Sequence, residues 1–206
     1  MKRKINAILI MLAIFFPVSE IWKQVVLYRF NGYYDFWYFP FQLCSMPIYL
    51  LPAYLLLKDG KLKEDVGNFL MCYGLLGGIA VFLDTSGLHY QISALTVHSY
   101  LWHVLMITMS LLLYRLNKFK GRHLYGATAI YIICCMIATI LNCTLYKYGS
   151  INMFYISPHQ KMYQIVFKDI AKLTGETAII FIYIISTILA AEAIYQLLKR
   201  LKSEGK

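Results

Sequence analysis

The sequence predicts an all-α membrane protein, a polytopic bundle of six transmembrane helices. Hydrophobic residues make up 60% of the 206-residue chain and charged residues only 15%, whereas a typical soluble domain has about 25% charged residues. The charges are missing from long apolar stretches, and a stretch of 18 or more such residues can cross a bilayer as a helix. Because lipid offers no hydrogen bonds to the backbone, helices are the expected form of these segments.

The apolar stretches predict six spans within a single membrane domain, residues 1–206. They cover residues 5–28, 38–57, 66–83, 90–114, 124–146 and 177–198. The first span follows a basic start, but its apolar run is longer than that of a signal peptide and no small-residue cleavage site follows. We therefore expect it to remain as a helix.

The second span contains three of the chain's five prolines, Pro40, Pro47 and Pro52. A proline nitrogen carries no hydrogen, so Pro47 cannot donate to the carbonyl group of Leu43. The sequence thus predicts a helix that kinks beside Cys44 and opens a cavity there.

One connection, residues 147–176, is much longer than the others. Loops of about thirty residues are usually functional or disordered in compact domains. In its second half, residues 159–173, apolar residues recur with helical spacing, at Met162, Ile165, Val166 and Ile170. This spacing predicts an amphipathic helix, which we expect to lie in the outer membrane interface. Two roles remain open for it, a cap on the bundle and a lid over the route by which lipids reach it.

The net charge of +10 is explained by the membrane and does not require nucleic acid. Basic residues concentrate at the N-terminus, in two turns and at the C-terminus, in residues 2–4, 58–63, 115–122 and 199–206. With six spans these segments share one side, and the positive-inside rule makes that side the cytoplasm. We expect a multi-pass protein of the cell membrane with both termini cytoplasmic. Its expected partners are membrane phospholipids, and its oligomeric state has no signal in the sequence.

Two reactive side chains lie at similar predicted depths in the membrane. Counted from the inner ends of their helices at ~1.5 Å per residue, Cys44 lies about 21 Å and His103 about 18 Å deep. A histidine can take the proton of a thiol, and the resulting thiolate can attack the ester carbonyl of a lipid. We therefore predict Cys44 as a nucleophile and His103 as its base. The alternatives are a cysteine that packs as a small hydrophobe and a histidine that bonds a neighbouring helix.

Four other polar side chains are candidate site residues. His98 is five residues from His103, so one helix face cannot present both well. Glu20 either orients a histidine or pairs with Lys23 one turn later. Asn142 and Asn152 flank the outer end of the fifth span and could donate to an oxyanion, although capping and turn formation are commoner for asparagine.

Motifs for metals and cofactors are missing from the sequence. The five histidines do not show the HExxH spacing or a similar one, and no phosphate-binding loop or dinucleotide motif is present. We therefore expect no metal and no cofactor.

Residues 39–45 (FPFQLCS) resemble the Pro–x–His–Leu–Cys–Ser/Asp stretch of the YwaF-like integral membrane proteins. His103 and the three residues after it resemble that family's fourth-helix histidine. Residues 142–158, with the sequence NMFYISP at their end, resemble its Asn-rich outer motif. Eukaryotic relatives of this family include a transmembrane acyltransferase that acts on ether phospholipids through a Cys/His pair.

The resemblance implies a membrane-embedded lipid acyltransferase or acyl hydrolase, with Cys44 and His103 as the catalytic pair and a thioester intermediate. Gln42 stands where family members often carry histidine, and it joins Asn142 and Asn152 as a candidate polarising donor. A different hypothesis is a transporter or a substrate-binding membrane subunit, in which Glu20 and the histidines line a path. A third is a structural partner in a membrane complex.

Overall fold

Every regular element in residues 2–204, the part that this computed structural model describes, is helical. The seven α-helices are α1 (Lys2–Asn31), α2 (Met46–Leu56), α3 (Lys61–Ala80), α4 (Ser93–Leu116), α5 (Tyr125–Leu145), α6 (Phe167–Thr174) and α7 (Glu176–Glu204). Five of them, namely α1, α3, α4, α5 and α7, are long and apolar enough to cross a membrane. The all-helical class is thus confirmed, and the five long apolar helices are compatible with a multi-pass membrane protein.

The second predicted span is not one helix, which corrects the prediction for residues 38–57. Two 3-10 turns, Phe36–Tyr38 and Leu43–Ser45, precede α2, which begins only at Met46. Pro47 lies in the first turn of α2, where a backbone N–H has no partner within the helix. It therefore starts the helix and does not kink it beside Cys44. The apolar helical stretch Leu43–Leu56 is about 21 Å long, shorter than the ~30 Å hydrocarbon core.

Helix α3 lies at the centre of the bundle, and glycines let α4 approach it closely. A Cβ atom on Gly78 would lie 2.9 Å from the Ile107 side chain, and one on Gly74 would lie 3.0 Å from the Ser110 hydroxyl. That hydroxyl donates to the Leu70 carbonyl oxygen at 3.0 Å. The small-residue spacing in α3 therefore serves helix packing, as is common in membrane bundles.

The turn between α4 and α5 is fixed by α7 at the end of the bundle that we call the lysine-rich end (residues 58–63, 115–122 and 199–204). There Glu192 of α7 accepts a hydrogen bond from the Leu124 N–H at 3.0 Å and bonds His123 at 3.0 Å. The Tyr195 hydroxyl donates to the Gly121 carbonyl oxygen at 2.9 Å. These contacts satisfy backbone groups that a turn would otherwise leave unpaired.

The amphipathic helix in the long connection is shorter than predicted. Helix α6 begins at Phe167 and not at residue 159, because Val166 before it has a φ of 71° that ends helical geometry there. The preceding residues are instead held by tertiary contacts. The Met162 N–H donates to Glu176 at 2.9 Å, and the His159 ring stacks on Tyr146 at 3.8 Å.

Candidate functional site

Cys44 lies in the 3-10 turn immediately before α2, and its side chain is partly buried. Its carbonyl oxygen accepts a hydrogen bond from the Trp102 indole N–H at 2.9 Å, which ties this turn to α4.

His103 of α4 is buried and has a defined tautomer. Its Nδ1 lies 2.8 Å from the Ser99 carbonyl oxygen. A carbonyl oxygen only accepts, so Nδ1 carries the proton and Nε2 keeps a free lone pair. Within residues 2–204 no hydrogen bond joins this imidazole to Cys44, and the catalytic pair therefore stays a prediction. The Cys44 turn and α4 are instead joined by the hydrogen bond from Trp102, the residue before His103.

His98 has a different environment, between two indole rings. Its ring centroid lies 5.4 Å from that of Trp22 on α1 and 5.5 Å from that of Trp102. Its Nε2 atom is buried without a hydrogen-bond partner in the described part of the chain. These tilted ring contacts join α1 to α4, and Trp102 in turn binds the Cys44 turn.

Glu20 pairs with Lys23, which is one of its two predicted roles. The Lys23 ammonium lies 2.8 Å from Glu20 Oε1, and the two side chains are only 14% and 7% exposed. The same oxygen accepts from the Gln24 amide at 2.7 Å. Both charges act electrostatically on the Cys44 thiol and on His98. Lys23 is therefore part of this site. The sequence signal for it was Glu20, an acidic residue three positions earlier within an apolar run.

The Gln42 carboxamide binds the backbone of the loop that follows α5. Its Nε2 donates to the Asn152 carbonyl oxygen at 2.8 Å, and its Oε1 accepts from the Phe154 N–H at 2.8 Å. The Phe41 ring also packs against Phe154, with centroids 5.7 Å apart. The segment before Cys44 and this loop are therefore one packed unit.

Asn142 binds the same loop from the other side. Its Nδ2 donates to the Met153 carbonyl oxygen at 3.0 Å, and its Oδ1 accepts from the Met153 N–H at 2.7 Å. The Asn152 side chain accepts from the Ser157 N–H at 3.0 Å. The contacts of all three amide side chains, Gln42 included, are thus structural, and those of Asn142 and Asn152 correspond to their turn-forming alternative.

Tyr155 lies in the loop that Gln42 binds, and the sequence did not single it out. It follows Phe154 directly, and both residues have a positive φ, 57° and 56°. Tyr155 interacts electrostatically with Cys44, and Tyr183 of α7 interacts with both. A tyrosine in an irregular loop has no periodicity that would reveal such a position.

The described residues contain no group of three His, Cys, Asp or Glu side chains that could hold a metal ion. All five cysteines, including Cys143 near the C-terminal end of α5, are free thiols. The chemistry available around Cys44 is therefore that of a thiol, two imidazoles, one ion pair and several phenols.

The fold and the candidate site together define a class of protein. It is a multi-helix protein with long apolar helices and with buried polar side chains near one cysteine, Cys44. Comparison of the chain with family models, with curated proteins and with solved structures returned no match.

Proposed function

We propose that this protein is a membrane-embedded lipid acyltransferase or acyl hydrolase that uses Cys44 as its nucleophile. One observation carries the proposal: the Trp102 indole N–H donates to the Cys44 carbonyl oxygen at 2.9 Å, which holds the Cys44 turn against the part of α4 that carries the buried His103. In an apolar setting the thiol needs a base to take its proton, and His103 is the proposed base. The resemblance of residues 39–45 and His103 to the YwaF-like proteins supports the same assignment.

In the proposed reaction His103 Nε2 takes the thiol proton and the Cys44 sulfur bonds the carbonyl carbon of a phospholipid ester. The carbonyl electron pair moves to the oxygen and forms a tetrahedral oxyanion. When this intermediate collapses, the ester C–O bond breaks, and the lysophospholipid alkoxide takes the proton from the imidazolium. The acyl group then remains on Cys44 as a thioester.

The second half of the proposed reaction releases the acyl group. His103 takes a proton from an acceptor hydroxyl, which attacks the thioester carbon, and Cys44 leaves as a thiolate. An acceptor lysolipid makes the protein an acyltransferase, and water makes it a hydrolase. The Ser99 carbonyl, which binds the Nδ1 proton, holds His103 in the tautomer that both halves need.

The proposal includes a membrane topology. Residues 36–56 are proposed to complete a sixth crossing as a broken span, because Gln42 contacts the loop after α5 while Tyr54 contacts Gly67 near the start of α3. The lysine-rich end then faces the cytoplasm together with both termini. Helix α6 lies in the outer interface, and Cys44 lies in the outer half of the cell membrane.

Acyl trapping tests the proposed function. Membranes that contain the protein are incubated with an alkyne-tagged phosphatidylcholine, and the label on the protein is measured before and after hydroxylamine, which cleaves thioesters. We expect hydroxylamine-sensitive label on the wild type and on Cys143→Ala, the matched control that removes another cysteine near the outer end of the bundle. Cys44→Ala should carry none. Equal labelling of Cys44→Ala and wild type would end the proposal.

A further inference from the structure

A cavity of about 370 Å³ lies at the end of the bundle opposite the lysine-rich end, between the segment after α1 and the loop after α5. Its volume is within the range of ~300–1,000 Å³ that is typical of small-ligand sites. Aromatic rings and one carboxylate form most of its wall, which includes Tyr33, Tyr34, Asp35, Phe36, Trp37 and Tyr148. None of the described residues that line it is basic. The cavity therefore combines aromatic surface with negative charge.

The rings on this wall come from two distant parts of the chain and are packed around Phe36. The Tyr34 ring meets the Phe36 ring edge to face, with centroids 5.2 Å apart. The Tyr148 ring lies 6.5 Å from that of Phe36, at an interplanar angle of 32°. Gly149 permits this approach, because a Cβ atom there would lie 3.4 Å from the Phe36 ring. Aromatic residues that anchor a protein singly in the membrane interface need no such arrangement around a shared space.

The Asp35 carboxylate on this wall takes part in none of the ion pairs within residues 2–204. Its Oδ1 accepts a hydrogen bond from the Trp37 N–H at 2.9 Å and so starts the 3-10 turn Phe36–Tyr38. This bond fixes the position of the carboxylate. The ring of Tyr148 already has a cation over it, the Lys147 ammonium, 5.3 Å from its centroid. A positive charge can therefore reach these rings, and Asp35 offers it a counter-charge.

The chemistry of the wall favours one kind of cation. The faces of aromatic rings attract cations, and sites built from several rings are typical of quaternary ammonium ligands. A quaternary ammonium carries no N–H, so it gives up no donated hydrogen bonds when rings replace water around it. A primary ammonium has three donors, and burying them without acceptors is costly.

We propose that this cavity binds a quaternary ammonium group, with the rings of Phe36, Trp37 and Tyr148 against its methyl groups and Asp35 as its counter-charge. The group belongs either to the headgroup of a choline lipid or to a small soluble compound of the same chemistry. The inference goes beyond the proposed function and does not rest on it, since it involves no residue of the Cys44 site.

Calorimetric titration of the full chain tests the proposal, in a maltoside detergent that contains no choline. We expect saturable binding of choline chloride and about tenfold weaker binding of ethanolamine hydrochloride, which carries a primary ammonium. A third titration, with dihexanoyl phosphatidylcholine, identifies the source of the group. Binding tighter than that of choline assigns the cavity to a lipid headgroup, and binding no tighter assigns it to a soluble compound.

Asp35→Asn separates the charge from the structure of the turn. The asparagine oxygen can still accept the hydrogen bond from the Trp37 N–H, while the counter-charge is lost, so the affinity for choline should fall by about tenfold. Asp84→Asn is the matched control. Asp84 also starts a 3-10 turn by accepting a backbone hydrogen bond, from the Ser86 N–H at 3.0 Å, but it does not line the cavity. Its replacement should leave the affinity for choline unchanged.

Tyr148→Leu tests the aromatic wall. The Tyr148 side chain is 66% exposed, so its loss should leave the unfolding midpoint unchanged while the affinity for choline falls by about three- to tenfold. Tyr125→Leu, an exposed tyrosine at the opposite end of α5, is the control and should bind choline as the wild type does.

Three results would each overturn the proposal: no saturable binding of choline, equal affinity for ethanolamine, and wild-type affinity in Asp35→Asn. If Asp35→Asn lowers the unfolding midpoint, Tyr148→Leu decides, and wild-type affinity in that variant overturns the proposal. Labelling of Cys44 is measured separately, so the proposed function can fail while this inference stands, and the reverse.

Discussion

The Gln42 side chain accepts a hydrogen bond from the backbone N–H of Phe154 at 2.8 Å, across 112 positions of the chain. This bond joins the segment that carries Cys44 to the loop that carries Tyr155. Neither segment is regular helix at this point, so side-chain amides supply the hydrogen bonds that helix geometry supplies elsewhere.

Replacing Gln42 with leucine should destabilise the protein more than an ordinary surface substitution does. The change leaves the Phe154 N–H without a partner, at a cost of about 1–3 kcal/mol for a buried group, and leaves the Asn152 C=O with only the hydrogen bond from the Tyr155 N–H. The thermal unfolding midpoint in detergent measures the effect. Gln160→Leu is the control, because the Gln160 side chain makes one exposed hydrogen bond, to the Ser150 hydroxyl. Equal midpoints for the two variants would contradict the structural role of Gln42.

Removing one partner of the Glu20–Lys23 pair should cost far more than removing both. Lys23→Met leaves a buried carboxylate without its cation, and such changes typically cost about 3–5 kcal/mol. The double variant Glu20→Met/Lys23→Met should recover most of that loss. Unfolding free energies of the single and double variants measure the coupling.

The matched control for that cycle is the exposed pair of Lys172 and Asp169. Exposed ion pairs contribute about 1 kcal/mol or less, so Lys172→Met should change stability little. A Lys23→Met variant that loses no more stability than Lys172→Met would show that the α1 pair is not held inside the bundle.

Gly78 should tolerate no larger side chain. A Cβ atom there lies 2.9 Å from Ile107 and 3.4 Å from the His103 carbonyl oxygen, so Gly78→Val forces α3 and α4 apart. Overpacking of this kind costs about 1–3 kcal/mol. Gly87→Val is the control, since no atom lies within 4 Å of a Cβ at that position. Unfolding midpoints should fall for the first variant only.

The turn before α4 should respond to acid through Asp84, which lies outside the spans. Hydrogen bonds from Ser86 hold the pKa of the Asp84 carboxyl below its usual value. A lowered pKa means that the stabilisation is present above the ordinary aspartate range and is lost as the pH falls through the folded-state value, below about pH 4. Hydrogen exchange at the Ser86 amide should therefore speed up, relative to its intrinsic rate, as the pH falls through this range. In Asp84→Asn that protection should not depend on pH.

The long apolar runs of the sequence determined most of the fold by themselves. The five long helices coincide with predicted spans because a helix that crosses lipid needs a run of about 20 apolar residues, and such a run is visible in the sequence. The failures fell on residues 38–57 and 159–173, where side-chain hydrogen bonds and ring stacking decide the backbone and local helical pattern does not.

The candidate site shows the same division. The sequence alone singled out Cys44, His103 and Glu20, because a reactive or charged side chain within an apolar membrane span is costly and is therefore a candidate functional residue. Only the tertiary structure gave Gln42 and Asn142 their hydrogen bonds to one loop and joined the Cys44 turn to Trp102 of α4. Those relationships join residues far apart in the chain, and they depend on how helices and loops pack in three dimensions, which no local pattern encodes.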